Sequence, residues 1–138
     1  MCIRDSSKTT AAHALSYAIT KRYGVDHGNA AALTLGHFIE DHSSGDTSRL
    51  QSTVPIKSHE FALGRIHAAL KSQDASSARR AFVELLDDLG LHSRISSAGQ
   101  VDDDILSSMA ASVNAQRLGN NPFSYSSEQL LDVLRRAV

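Results

Sequence analysis

Apolar residues recur every three or four positions along almost the whole chain, and no segment alternates apolar and polar residues as a strand does. Ala12, Leu15 and Ile19 show this helical spacing in a predicted first helix over residues 9–23. Gly24 would end that helix, because glycine accepts the left-handed conformation found after helix ends. The 138 residues, 41% of them hydrophobic, are enough for one domain with its own core. The pattern therefore predicts an all-α fold, an antiparallel helical bundle.

Further helices are predicted over residues 27–42, 58–72, 74–90, 102–119 and 126–138, with a polar loop over residues 43–57. Their first turns begin with residues that cap helices, namely Ser58, Asp74, Asp102 and Ser126. Ser126 is followed at the third helical position by Gln129, which makes a capping box. Several leucines have a helical spacing that predicts burial: Leu35, Leu85 and Leu89.

Charge and cysteine content exclude several classes of protein. A net charge of −1 argues against a dedicated binder of nucleic acid or of anionic membranes, and no apolar run approaches the ~20 residues of a membrane span. The lone Cys2 rules out a disulfide framework and suits a reducing, cytoplasmic location. Residues 1–6 (MCIRDS) do not form a signal peptide, and we interpret them as a non-native leader before a domain over residues 7–138.

Two of the seven histidines, His13 and His27, are candidates for a shared site. On one straight helix they would lie roughly 21 Å apart, whereas two ligands of one metal ion lie within about 3–4 Å of each other. A shared ion therefore requires the chain to leave the first helix after about Tyr17 and to fold back before His27. Without that turn, His13 is a hydrogen-bonded core residue. The other histidines are predicted to be surface residues or partly buried and hydrogen-bonded: His37, His42, His59, His67 and His92.

The residues around this pair resemble a known metal-binding segment. H-A-L-S-Y at residues 13–17 is followed, after eight residues, by D-H-G and a run of small residues. This pattern resembles the iron-containing (group III) alcohol dehydrogenases, and N-A-Q-R-L-G-N-N-P at residues 114–122 resembles a later segment of the same family. The resemblance covers residues 7–138 and implies the helical C-terminal domain of the fold that this family shares with dehydroquinate synthase.

The resemblance implies that His13 and His27 are two ligands of a divalent metal, Fe²⁺ or alternatively Zn²⁺. The enzyme would interconvert a small alcohol and an aldehyde or ketone with NAD or NADP. Candidate partners that fix the imidazole tautomers are Thr9, Thr10, Ser16 and Asp26. Tyr17 stands where many members have a histidine near the active site, so it is a catalytic candidate. Asp26 replaces the family's usual proline.

The same resemblance implies that other parts of the enzyme lie outside this chain. The family's remaining ligands, an aspartate and a histidine, and its N-terminal nucleotide-binding domain have no counterpart here. We therefore expect a fragment that is inactive alone, from a parent enzyme that forms a homo-oligomer and binds neither nucleic acid nor membrane. The K-T-T-A-x-H-A-L-S-Y pattern over residues 8–17 further resembles a branch that includes phosphonoacetaldehyde reductases.

Two other functions remain open from the residues. The chain is alternatively a stand-alone α-helical interaction or regulatory module with structural histidines, in which residues 43–57 form a recognition loop. In a variant of that hypothesis, His13 and His27 hold a zinc ion between two chains. The coding sequence upstream of residue 7 separates these hypotheses from the dehydrogenase.

Overall fold

A computed structural model of the chain describes residues 9–138, which contain seven α-helices and no β-strand. The helices are α1 (Ala11–Tyr23), α2 (His27–His42), α3 (Ile56–Leu70), α4 (Ala75–Asp88), α5 (Asp103–Ala111), α6 (Ala115–Leu118) and α7 (Ser127–Arg136). The all-α prediction is confirmed. The predicted leader, residues 1–6, lies outside the described residues. No helix within residues 9–138 is both long enough and apolar enough to cross a bilayer.

Most of the predicted helix ends are confirmed. Gly24 follows α1 with a φ of 67°, in the left-handed region, and its N–H bonds to the Thr20 carbonyl. The Asp74 side chain accepts from the backbone of the third helical residue of α4, and Asp102 does the same at α5. Ser126 and the side chain of the third helical residue form the predicted capping box at α7. Local side-chain chemistry therefore determines where these helices begin.

Two predicted boundaries are wrong. Ser58 lies inside α3, which begins two residues earlier because Pro55 precedes its first turn with a φ of −63°. The helix predicted over residues 102–119 is broken into α5 and α6. Asn114 is the N-cap of α6, because its side chain accepts from the Gln116 backbone N–H. This local hydrogen bond competes with continuation of α5.

The core lies between α1, α2, α5 and α7, and α3 and α4 pack outside it. Leu15 and Ile19 of α1 are fully buried, and the other helices add Leu33, Phe38, Leu106, Met109, Leu130, Val133 and Leu134. Burial of Leu35, Leu85 and Leu89 was predicted wrongly: their exposed fractions are 37, 44 and 63%. The helical period identifies an apolar face, but α4 buries only part of that face, through Ala78 and Leu86.

Charged groups join the end of α7 to α2. Arg136 pairs with Glu40 at 3.3 Å and with Asp41 at 2.9 Å, and Tyr125 donates to Asp41 at 3.0 Å. Burial and the nearby Asp41 carboxylate raise the pKa of Tyr125 above its usual range. His37 lies beside this cluster, and the ion pairs attach the last turn of α2 to α7.

Two histidines differ from the prediction that they are exposed or hydrogen-bonded. His37 and His59 are buried, and each has one ring nitrogen without a hydrogen-bond partner among the residues that the structure describes. His37 lies on α2, against which α4 packs, and His59 on α3 lies against the rings of His42 and Phe123. Both are buried by segments far away in the sequence, which spacing along one helix does not reveal.

Candidate metal centre

The rings of His13 and His27 meet edge to face. Nε2 of His27 lies 3.3 Å from Nδ1 and 3.4 Å from Nε2 of His13, and the ring planes are inclined by 79°. Two nitrogens that each lie 2.0–2.1 Å from a tetrahedral ion are about 3.3 Å apart. The same separation also suits a hydrogen bond in which one neutral ring donates to the other. The predicted convergence of the two side chains is therefore present in the fold.

The chain reaches this geometry by a different path from the one predicted. It does not leave the first helix after about Tyr17, because α1 continues to Tyr23. Residues 24–26 instead bring the chain back beside α1, and α2 begins at His27. The left-handed turn at Gly24 reverses the chain direction, so that the two residues after it return alongside the last turns of α1. Val25 is buried in the core and anchors this return.

Ser16 is the candidate tautomer-fixing residue that the structure places beside His27. Its hydroxyl donates to the His13 carbonyl at 2.6 Å and lies 3.2 Å from Nε2 and 3.5 Å from Nδ1 of His27. Because its one proton is used on the carbonyl, the oxygen can accept an N–H from the His27 ring. A bond from Nδ1–H would leave Nε2 with a free lone pair, which is the form that ligates metals.

Tyr17 forms the open side of the same cluster. Its exposed fraction is 41%, and its ring centroid lies 5.1 Å from that of His13 and 4.9 Å from that of His27. Its hydroxyl is 3.0 Å from Nε2 of His13 and accepts from Arg117 at 2.6 Å. The Arg117 guanidinium also lies over the Tyr17 ring, 4.4 Å from the centroid.

Arg117 is a site residue that sequence reasoning missed. It lies 100 residues from Tyr17 along the chain, and no spacing rule relates positions so far apart. The resemblance of residues 114–122 to the family marked the segment but not its contact with α1. Buried Asn121 brings the segment there, since its Oδ1 accepts from the Ala11 N–H at 3.3 Å. Gln51 holds it from the other side, donating to the Asn121 carbonyl at 2.6 Å.

Two imidazoles are half of an ordinary coordination shell. Across residues 9–138, no group of three or more His, Cys, Asp or Glu side chains is arranged to hold an ion. Neutral imidazole is a borderline donor that suits iron and zinc. The donor chemistry of His13 and His27 therefore suits two positions in the coordination shell of a divalent transition metal.

Fold and site together define a helical domain with a paired-histidine centre. Residues 5–138 match the family described as "Fe-containing alcohol dehydrogenase family, C-terminal". The chain belongs to this family, which confirms the family that its residues resemble.

A solved structure has the same fold. The chain is similar to a sulfoacetaldehyde reductase from Bifidobacterium kashiwanohense, whose crystal structure was determined in complex with NAD+, with a TM-score of 0.66 and 21% identity. The match covers 94% of this chain and 31% of the reductase, so the chain spans about a third of that protein's length. No curated protein matches the sequence.

Proposed function

We propose that this chain is the metal-ligating domain of a metal-dependent, NAD(P)-linked alcohol dehydrogenase or aldehyde reductase. His13 and His27 would be two of the metal ligands. The observation that carries the proposal is the 3.4 Å separation of their Nε2 atoms in a chain of this family. The similar Bifidobacterium protein, a sulfoacetaldehyde reductase in complex with NAD+, supports an aldehyde or alcohol substrate and a nicotinamide cofactor.

The bound metal would supply a Lewis acid that polarises the substrate oxygen, which eases hydride transfer to or from the nicotinamide. His13 and His27 would remain neutral and give their lone pairs to the ion. Ser16 would hold the His27 ring in the required tautomer by accepting a hydrogen bond from its Nδ1–H. Tyr17 would lose His13 Nε2 as an acceptor once that lone pair is engaged, so its hydroxyl would be available to donate to the substrate oxygen.

Two imidazoles are too few ligands for a metal site, so the whole enzyme would need ligands from other residues. The remaining metal ligands and most of the contacts to NAD or NADP would come from residues outside 9–138. The 138-residue chain should then bind metal weakly and have no turnover. An upstream reading frame of about 200 residues with a glycine-rich phosphate loop would support this proposal.

Metal titration of the purified chain tests the ligand assignment. We expect Zn²⁺ to bind, and we expect His13→Ala and His27→Ala each to weaken the affinity by at least about tenfold, because each substitution removes half of the donor pair. His92→Ala is the matched control, since His92 is exposed and lies outside the cluster. Isothermal titration calorimetry gives the affinities.

Two results would contradict the proposal. Equal Zn²⁺ affinity in the unsubstituted 138-residue chain and in both histidine variants would show that the two histidines are structural. Oxidation of a small alcohol by the 138-residue chain with NAD or NADP would show that the chain needs no further domain.

Exposed apolar side chains favour a second candidate function, an interaction module. Ile56, Phe61 and Leu89 are exposed at 52, 69 and 63%, and apolar side chains that lie together on a surface mark sites of protein association. In the enzyme this surface would be covered by another part of the parent or by a second copy. Light scattering with and without Zn²⁺ separates the alternatives, since association that requires both metal and His27 would indicate a zinc-linked dimer.

A further inference from the structure

A positive charge lies directly beside the paired imidazoles. Arg117 Nη1 donates to the Tyr17 hydroxyl at 2.6 Å, and that hydroxyl is 3.0 Å from Nε2 of His13. The two hydrogen bonds in series place the guanidinium within about 6 Å of the imidazole nitrogen. We propose that Arg117 selects a substrate that carries a fixed negative charge, as a sulfonate, phosphonate or carboxylate, close to its carbonyl or hydroxyl group. The inference rests on the proposed function.

The charge of Arg117 has no compensating partner among residues 9–138. Arg79, Arg135 and Arg136 each form an ion pair with a carboxylate, at distances between 2.7 and 3.3 Å, whereas Arg117 forms none. Its side chain donates to the Tyr17 hydroxyl and to no other described residue. Four of its five N–H donors are therefore available, and a guanidinium can bind two oxygens of one anionic group with parallel hydrogen bonds.

Arg117 is not required to hold its own segment in place. Leu118 packs against the hydrophobic core, and Asn121 bonds to the backbone of α1. Gln51 donates to the carbonyls of Gly119 and Asn121. Since these contacts anchor residues 114–122, the arginine is free for recognition, and stacking on Tyr17 fixes the orientation of its guanidinium.

Electrostatics also favour an anionic substrate. A cation within about 6 Å of a divalent-ion site makes metal binding there less favourable, because the two positive charges repel each other with little water between them. An anionic substrate group between Arg117 and the ion would offset both charges. A neutral aldehyde would leave the guanidinium without a partner, so the site would discriminate against it.

The distance defines the size of the substrate. With one methylene between the carbonyl carbon and the acidic group, the carbonyl oxygen and the acid oxygens are about 3–5 Å apart by ordinary bond lengths. Such a molecule can contact Arg117 and the imidazole pair together. We therefore infer a two- or three-carbon aldehyde or alcohol that bears an acidic group.

The test is an NMR titration of the ¹⁵N-labelled 138-residue chain with stable alcohols. The probes are 2-hydroxyethanesulfonate, 2-hydroxyethylphosphonate and 3-hydroxypropionate, and 1-propanol is the neutral control. We expect the anions to cause saturable shifts at Arg117 and Tyr17, and we expect 1-propanol to cause none. Comparison of the three anions shows which acid the site prefers.

Two variants make the test specific. Arg117→Gln should weaken anion binding at least tenfold, while Arg65→Gln should leave it unchanged. Arg65 is a matched control because it also lies over an aromatic ring, 6.0 Å from the Phe61 centroid. Unaltered affinity in Arg117→Gln, or equal binding of 1-propanol, would overturn the inference, provided that the variant's ¹⁵N spectrum shows a folded chain. Arg117→Lys keeps the charge but not the paired N–H donors of the guanidinium, so it should bind the anions with intermediate affinity. If Arg117→Gln does not fold, unaltered anion affinity in Arg117→Lys would overturn the inference instead.

The same samples separate this inference from the proposed function. Zn²⁺ is added in a second titration that follows the imidazole signals of His13 and His27. If Zn²⁺ shifts both histidines while Arg117→Gln leaves anion binding unchanged, the inference on Arg117 fails and the proposed function stands. If neither histidine responds to Zn²⁺, the proposed function itself fails.

Discussion

Acidification should destabilise the fold through His37. This residue is 4% exposed, and Nδ1 has no hydrogen-bond partner among the described residues. Burial, followed by the positive charges of Arg136 and Arg79, lowers its pKa from 6.5 to about 4. The folded chain therefore keeps His37 neutral at a pH where the unfolded chain protonates it.

The sign and size follow from proton linkage. Between pH 6.5 and 4 the unfolded state binds more protons, so the free energy of unfolding falls as the pH falls. At pH 5 the unfolded imidazole is almost fully protonated and the folded one about a tenth protonated, which corresponds to a loss of about 2 kcal/mol relative to neutral pH. Burial also lowers the pKa of His42, which adds a loss of the same sign.

Urea unfolding at pH 7 and pH 5 measures this effect. Between pH 7 and pH 5, the free energy of unfolding of the unsubstituted chain and of a His92→Gln control should fall by about 2 kcal/mol more than that of His37→Gln. A direct check that needs no variant is an NMR titration of the His37 ring, which should have its midpoint near pH 4. A midpoint near pH 6.5 would show that the pKa of His37 is not lowered. An equal fall in the free energy of unfolding of the unsubstituted chain and of His37→Gln would show that His37 does not cause the loss of stability.

Two further changes have outcomes that the structure defines. Gly99→Ala should destabilise the chain by about 1–3 kcal/mol in urea unfolding, because the new Cβ would lie 2.8 Å from the Tyr23 ring. Gly64→Ala, the matched change where no atom lies within 4 Å, should instead stabilise α3 by about 0.5–1 kcal/mol; the opposite order would show that packing does not limit Gly99. Ser16→Ala should weaken Zn²⁺ affinity by about 10-fold or more in calorimetry, because it removes the acceptor for the Nδ1–H of His27; an unchanged affinity would exclude its orienting role.

Helix positions could be predicted because their signals are local. The caps at Asp74, Asp102 and Ser126 act within one turn, and Gly24 ends α1 through its own backbone conformation. Burial could not be predicted equally well, because it depends on which helices lie over which faces. Leu85 lies on an apolar stripe yet is exposed, since α4 is an outer helix.

The residues of the site also differ in how far the sequence predicts them. Spacing permitted His13 and His27 to converge but did not require it, and the family resemblance made them candidates. Ser16 could be named from proximity in sequence but not chosen over its neighbours. Arg117 could not be found at all, because its position against Tyr17 results from packing between the two ends of the chain.

The proposed function depends on one metal ion that two imidazoles bind together. Its most direct test is anomalous X-ray diffraction at the zinc edge from crystals of the 138-residue chain soaked with Zn²⁺. We expect an anomalous peak about 2.0–2.1 Å from Nε2 of both His13 and His27. A peak bound to neither ring, or bound to one ring while the other keeps its hydrogen bond, would contradict it.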